Sequence, residues 1–175
     1  ACQREITLSR QIMRESKKKQ QRDRFFDHPL LRPRVPFGVL FAMGGWSGGT
    51  PISKIETYDC KADTWYDFPQ IQDTNPRAYH GLVNYQGRIY IIGGFNGTEY
   101  YNSVRYFDPM EKKWHDAAPM YTPRCYVSTA MLENFIYACG GYDGRWRLNT
   151  VERFHPPTNQ WTKVASMAVN RSDAG

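Results

Sequence analysis

"YIIGGFNG", Tyr90 to Gly97, is the stretch on which the fold turns. Three residues that favour a strand run into two glycines, an aromatic, and then Asn-Gly. A pair of glycines is a poor end for a central strand, because glycine loses much backbone entropy on folding and packs no side chain. Yet the pair recurs at 44–45, 93–94 and 140–141, spaced 49 and 47 residues apart. Thirteen residues after each second glycine stands an aromatic (Tyr58, Phe107, Phe154), and twenty residues after it a tryptophan (Trp65, Trp114, Trp161). "KIETYD", "SVRYFD" and "TVERFH" precede the tryptophans, and an arginine closes each copy (Arg77, Arg124, Arg171). Seventeen residues separate Arg77 from Gly94, and again Arg124 from Gly141. Chance does not align this many features, so the chain is a repeat with a period near 48 residues.

One unit reads as four strands. From Arg77 onward, "HGLVNY" is a first strand and Gln86-Gly87 a turn; "RIYII" is a second strand that ends at Gly93-Gly94. "SVRYFD" is a third strand, Pro109 to Lys112 a turn, and "KWHDA" a fourth. In "RIYII", Ile89 and Ile91 point one way, Tyr90 and Ile92 the other, and all four are apolar, so both faces of the strand need cover. A lone four-stranded sheet cannot supply it. Similar sheets stacked around an axis can, which makes the fold all-β: a β-propeller whose blades begin near residues 37, 77 and 124.

Bulk properties narrow the function. Aromatics are 15% of the 175 residues, with 14 glycines and 11 prolines, a composition for short strands and tight turns. The net charge of +6 belongs to residues 1–36, which hold ten Lys/Arg and four Asp/Glu, while the remainder is neutral. A neutral body argues against nucleic acid as partner, which would need a basic face. Cys2, Cys60, Cys125 and Cys139 form no C-x-x-C pair and read as free thiols in a reducing compartment. With no secretory signal and no apolar run near the ~20 residues that span a bilayer, the expectation is a cytoplasmic protein without membrane association.

Catalysis finds little support. His28, His80, His115 and His155 form no H-E-x-x-H or similar cluster, and no P-loop or G-x-S-x-G elbow occurs. The expectation is a non-catalytic chain with no metal and no cofactor. No tryptophan is followed by Asp, which speaks against a WD repeat, and no S-x-D-x-G-x-x-W box marks a sialidase-type blade.

Gly-Gly, then an aromatic, then Trp resembles the Kelch repeat, over Phe37 to Gly175. "RPRVPFGVLFAMGGWSGG", "PRAYHG", "YNSVRYFDP", "RCYVS", "NFIYACGGYDG" and "RLNTVERF" together look like the kelch-like adaptor family, and within it most like a male germ-cell member. The resemblance implies a BTB domain, a helical BACK domain and a six-bladed propeller. It also implies a substrate receptor for a cullin 3 RING ubiquitin ligase, with cullin 3 engaged through a BTB domain outside this chain. Three blades are half of such a ring, so the chain is expected to be part of a longer protein. Prolines in "HPLLRPRVP" leave the first blade without its own innermost strand. Residues 1–36 are a basic segment and linker, with 1–28 a short helix or disordered arm, by position the end of a BACK-like domain. The alternative is a cytoskeletal, actin-binding or scaffolding Kelch protein without a ligase role.

Function is expected where the copies differ and loops gather at one end of the ring. Mapping the family's substrate-binding face onto this sequence gives Trp46, Phe95 and Tyr142 after the glycines. Tyr100, Trp146 and Arg147 follow in the adjoining loops, and Arg77, Tyr79, Arg124 and Tyr126 at the blade entries. Aromatic and Arg side chains suit a protein-binding hot spot. The arginines recur, so two readings stand open: contact with substrate, or bonds to backbone carbonyls between blades. The loop aromatics divide in the same way between binding and packing. Trp65, Trp114 and Trp161 hold one position in every copy and read as wedges between blades.

Overall fold

Thirteen short strands run through the described residues. They are β1 (Val39–Met43), β2 (Trp46–Ser47), β3 (Thr50–Pro51), β4 (Ile55–Asp59), β5 (Thr64–Asp67), β6 (Gly81–Tyr85), β7 (Arg88–Ile92), β8 (Val104–Asp108), β9 (Lys113–Ala117), β10 (Ser128–Leu132), β11 (Phe135–Cys139), β12 (Val151–His155) and β13 (Gln160–Val164). The computed structural model describes residues 39–68 and 73–174. The chain divides into two units, residues 1–39 and 40–175; the basic segment read at 1–36 lies outside the described residues.

The strands form antiparallel sheets in sequence order. Two have four strands, β6-β7-β8-β9 and β10-β11-β12-β13. The first sheet has three, β1-β4-β5; the proline-rich stretch before it lies outside the described residues. Its loop "WSGGTP", expected to be irregular, carries a small β2-β3 hairpin.

Local chemistry sets each turn. Gln86 and Gly87 both have positive φ, 50° and 79°, the two-residue hairpin that matches strand twist. The Asp59 carboxylate accepts the Lys61 and Ala62 amides, and Asp108 accepts those of Met110 and Glu111. These Asx turns close the β4-β5 and β8-β9 hairpins. In the third blade His155 replaces the Asp, and Pro156–Thr158 supplies a 3-10 turn instead.

The core sits between the blades. On β7, Tyr90 and Ile92 join Val127, Ile136, Ala138, Phe154 and Trp161 of the third blade. Ile89 and Ile91, on its other face, join Met43 and Ile55 of the first blade. All four β7 side chains are buried, each stabilising the fold by roughly 1.5–3 kcal/mol. One strand thus holds two blade interfaces, the cover that its apolar pattern demanded.

Candidate protein-binding face

The glycine pairs and the arginines form one device. The Gly94 amide donates to the Arg124 carbonyl at 2.7 Å, as Gly45 does to Arg77 and Gly141 to Arg171, each at 2.9 Å. Gly93 has φ +65°, and a Cβ there would lie 2.2 Å from the Arg124 carbonyl oxygen. No L-residue fits so close an approach in that conformation. The Arg124 guanidinium then turns into its own blade. It donates to the Gly140 carbonyl at 2.7 Å, the Thr150 carbonyl at 2.9 Å and Glu152 Oε1 at 2.9 Å. Arg77 likewise donates to the Gly93 carbonyl at 3.0 Å and lies over the Tyr101 ring. Each arginine therefore ties the strand end of one blade to that of the next.

This corrects one of the two readings of Arg77 and Arg124. They are 2% and 0% exposed: the Arg124 guanidinium bonds backbone carbonyls and Glu152, and that of Arg77 bonds the Gly93 carbonyl and Ser103 Oγ with Asp73 3.8 Å away. They hold blades together and are not offered to a substrate. Sequence reasoning missed their carboxylate partners, Glu152 on β12 and Asp73 before β6, both buried. A signal existed: Glu56 and Glu152 share one repeat position, and Arg105 breaks it in the middle copy.

The residue two places after each arginine does reach one face. Tyr79, Tyr126 and Asp173 adopt left-handed φ of 58°, 50° and 53°, a conformation that disfavours side-chain-bearing residues by about 1–2 kcal/mol. A backbone ladder holds them there. The Tyr126 amide donates to the Tyr79 carbonyl at 2.7 Å, and the Asp173 amide to the Tyr126 carbonyl at 3.0 Å. The Tyr79 and Tyr126 rings consequently lie 4.3 Å apart.

The loop aromatics join this pair. Trp46 stacks on Tyr79 at 5.9 Å and on Phe95 at 6.4 Å. Phe95 meets Tyr100 at 4.7 Å, and Tyr100 meets Tyr142 edge-on at 5.6 Å. Isolated bridges Phe95–Ala78, Phe95–Tyr100, Tyr142–Cys125 and Tyr142–Arg147 fix the loops to the blade entries. Six rings from three blades thus form one continuous row: Trp46 is 43% exposed and the other five are half-buried. Trp146, 68% exposed, and Arg147 stand at the end of the row on the loop of Tyr142. The structure brings together every candidate residue except the two arginines.

The face is neutral over the rings. Burial raises the Tyr100 and Tyr126 hydroxyls above their ordinary range, so they stay protonated and can donate. Beside the Tyr79–Tyr126 pair opens a cleft of about 330 Å³, lined by His80, Leu82, Ser128, Thr129 and Asp173 among others. Burial, reinforced by the Arg77 charge, lowers His80 to about 4, so the imidazole there is neutral. Burial likewise pushes the Cys125 thiol up to about 11, which leaves it unreactive. The arrangement offers stacking area, hydroxyl donors and guanidiniums: the chemistry of peptide recognition.

Comparison with known proteins agrees with this architecture. The "KLHDC2/KLHL20/DRC7 Kelch-repeats domain" family matches residues 37–173. Kelch repeat-containing protein kel-10 of Caenorhabditis elegans is 33% identical over 99 residues, 53% of this chain and 16% of that protein. Kelch-like protein 8 of Mus musculus is 37% identical over 75 residues, 42% of this chain and 11% of that protein. These matches therefore span a small part of each relative's length. The solved structure of YjhT superposes with a TM-score of 0.66 at 16% identity, over 75% of this chain and 50% of that one, and shares the fold. With blade period, clasp and family match in agreement, the chain belongs to the Kelch-repeat family and is a β-propeller protein-interaction module.

Proposed function

We propose that this chain is the substrate-recognition module of an adaptor that delivers proteins to a cullin 3 RING ubiquitin ligase. The observation that carries the reading is the six-ring row from Trp46 to Tyr142, built at positions where the repeats differ. A purely architectural residue would recur unchanged; the ring after the glycines varies in type (Trp46, Phe95, Tyr142), and the position of Tyr79 and Tyr126 holds Asp173 in the next copy. The kelch-like relative supports the adaptor role. The ligase contact would lie in a BTB domain outside this chain. The module positions a substrate segment and performs no chemistry of its own. The sequence stretches most like kelch-like protein 10 suggest a cytoplasmic role in male germ cells, in spermatogenesis.

Affinity purification of the full-length protein tests the reading. Cullin 3 should co-purify, and cullin 3 knockdown should raise the level of proteins captured through the row. Repeated absence of cullin 3, with co-sedimentation on actin filaments instead, would favour a cytoskeletal scaffold.

A further inference from the structure

The three loops that follow the glycine pairs are not equivalent in charge. The first, Trp46 to Thr50, carries none, and the second, Phe95 to Tyr100, carries Glu99 alone. The third reads Tyr142-Asp143-Gly144-Arg145-Trp146-Arg147. Its one carboxylate is consumed locally: Asp143 Oδ1 accepts the Arg145 amide at 2.8 Å and the Trp146 amide at 2.7 Å. Those bonds, the Trp146 amide first, hold Asp143 below the usual carboxylate range. The Asp143 amide also donates to the Trp146 carbonyl at 3.2 Å, and Tyr142 bridges Arg147. The loop is thus tied at several points.

Its cationic groups are not tied. Arg77, Arg88, Arg105 and Arg124 each pair with a carboxylate, and Arg153 lies over the Phe135 ring. Arg145 and Arg147 are exposed and form no salt bridge among the described residues: Arg145 acts on Asp143 only through space, and Arg147 reaches Ser172 Oγ at 3.3 Å. Between them stands Trp146, 68% exposed. A tied backbone that presents an uncovered indole between two unpaired guanidiniums loses little entropy on binding, which is the economy of a preorganised hot spot.

Resting on the recognition role given above, we propose that the face takes an extended peptide of one polarity. Its apolar residues lie along Trp46, Phe95 and Tyr100, and its Asp or Glu carboxylates end at Arg145 and Arg147. Charge complementarity selects this occupant, because the surplus guanidiniums sit at one end of the ring row. A single-stranded nucleic acid would stack on the same rings, but it needs positive charge along the whole row. The first two loops supply none, and the second adds Glu99.

The test uses the full-length protein as bait for phage displaying random twelve-residue peptides, followed by fluorescence anisotropy on selected peptides. The expected outcome is enrichment of peptides with an apolar segment joined to an acidic end. Their binding should weaken on the order of tenfold or more with R145A/R147A and recover when R145E/R147E meets a peptide whose acids are changed to Lys. Enriched peptides that lose binding in W46A/F95A yet ignore the arginine variants would overturn the polarity while leaving peptide recognition intact. No enrichment at all overturns both. Labelled poly(U) that binds the bait and is lost in R145A/R147A would overturn the peptide in favour of nucleic acid.

Discussion

The two buried arginine clasps occupy the same repeat position and are built differently. At Arg124, the partner carboxylate stands in the neighbouring strand position on β12: Glu152 takes the guanidinium at 2.9 Å and the Tyr121 and Thr122 amides as well. Both side chains are fully buried, and of the guanidinium only Nε lacks a hydrogen bond. At Arg77, the corresponding strand position on β8 holds Arg105, a second cation. Asp73, from the segment before β6, serves both: it pairs with Arg105 and lies 3.8 Å from Arg77. Arg105 also bonds Asp116 across the β8-β9 pair, at 2.8 Å. Arg77 keeps Nε and Nη2 without a partner, and Asp73 keeps Oδ2. The same blade-to-blade tie survives a charge inversion because a loop residue can deliver the missing carboxylate. What the fold requires at this place is a neutralised guanidinium and not a particular acid.

Breaking each clasp should expose the difference. Arg124→Met leaves Glu152 buried without a cation and should destabilise the propeller by about 3–5 kcal/mol. Arg77→Met leaves Asp73 still paired with Arg105 and should lose on the order of 1–3 kcal/mol. Denaturant melts of the two variants read the contrast directly; equal losses would mean that the clasps are equivalent after all.

Converting one clasp into the other is the sharper experiment. Arg105→Glu alone puts a new carboxylate beside Asp73 and Asp116 and should destabilise. Adding Asp73→Asn removes one of those charges and leaves the in-strand acid that the third blade uses. The double variant should then be more stable than the sum of the single changes predicts, with a coupling of roughly 0.5–3 kcal/mol. Additive losses would show that the Asp73 segment has a role beyond charge.

A pH-dependent contrast, silent at neutral pH, concerns the residue three places after each arginine, His80 in one copy and Val127 in the next. His80 titrates at about 4 in the folded protein, against roughly 6.5 in an unfolded chain. Between those values the unfolded state binds the extra proton, so stability is intact above about pH 6.5 and falls as the pH drops toward 4. His80→Val should flatten that part of the Tm-against-pH curve; an unchanged slope would place the acid sensitivity elsewhere.

Much of the architecture was legible because repetition averages out local noise. Three glycine pairs, three tryptophans and three arginines in register marked the blades, and the both-faces-apolar β7 required stacking. The observed β7 and β9 match the expected strands, and β6 and β8 each start one residue later. The tryptophans show how far that rule depends on the neighbour: Trp161 is 6% exposed and donates to the Ala118 carbonyl of the preceding blade, while Trp65, in the first blade, has no preceding blade among the described residues and is 50% exposed. Burial belongs to the neighbour as much as to the residue. The candidate site was half legible for a similar reason. Aromatics after the glycines could be picked out one by one, but their junction into a row depends on the left-handed backbone at Tyr79 and Tyr126, which no composition reveals.

The sequence by itself determined the blade, its period, its buried strand and the strand end from which the loop aromatics emerge, because those follow from side-chain alternation and glycine placement along one chain. Only the tertiary structure decided what the arginines do. Arg77 and Arg124 meet carbonyls and carboxylates 16 to 28 residues away, or only 4 in the case of Asp73. A guanidinium that reads as a ready ligand for substrate is, once blades close over it, the bond that keeps them together.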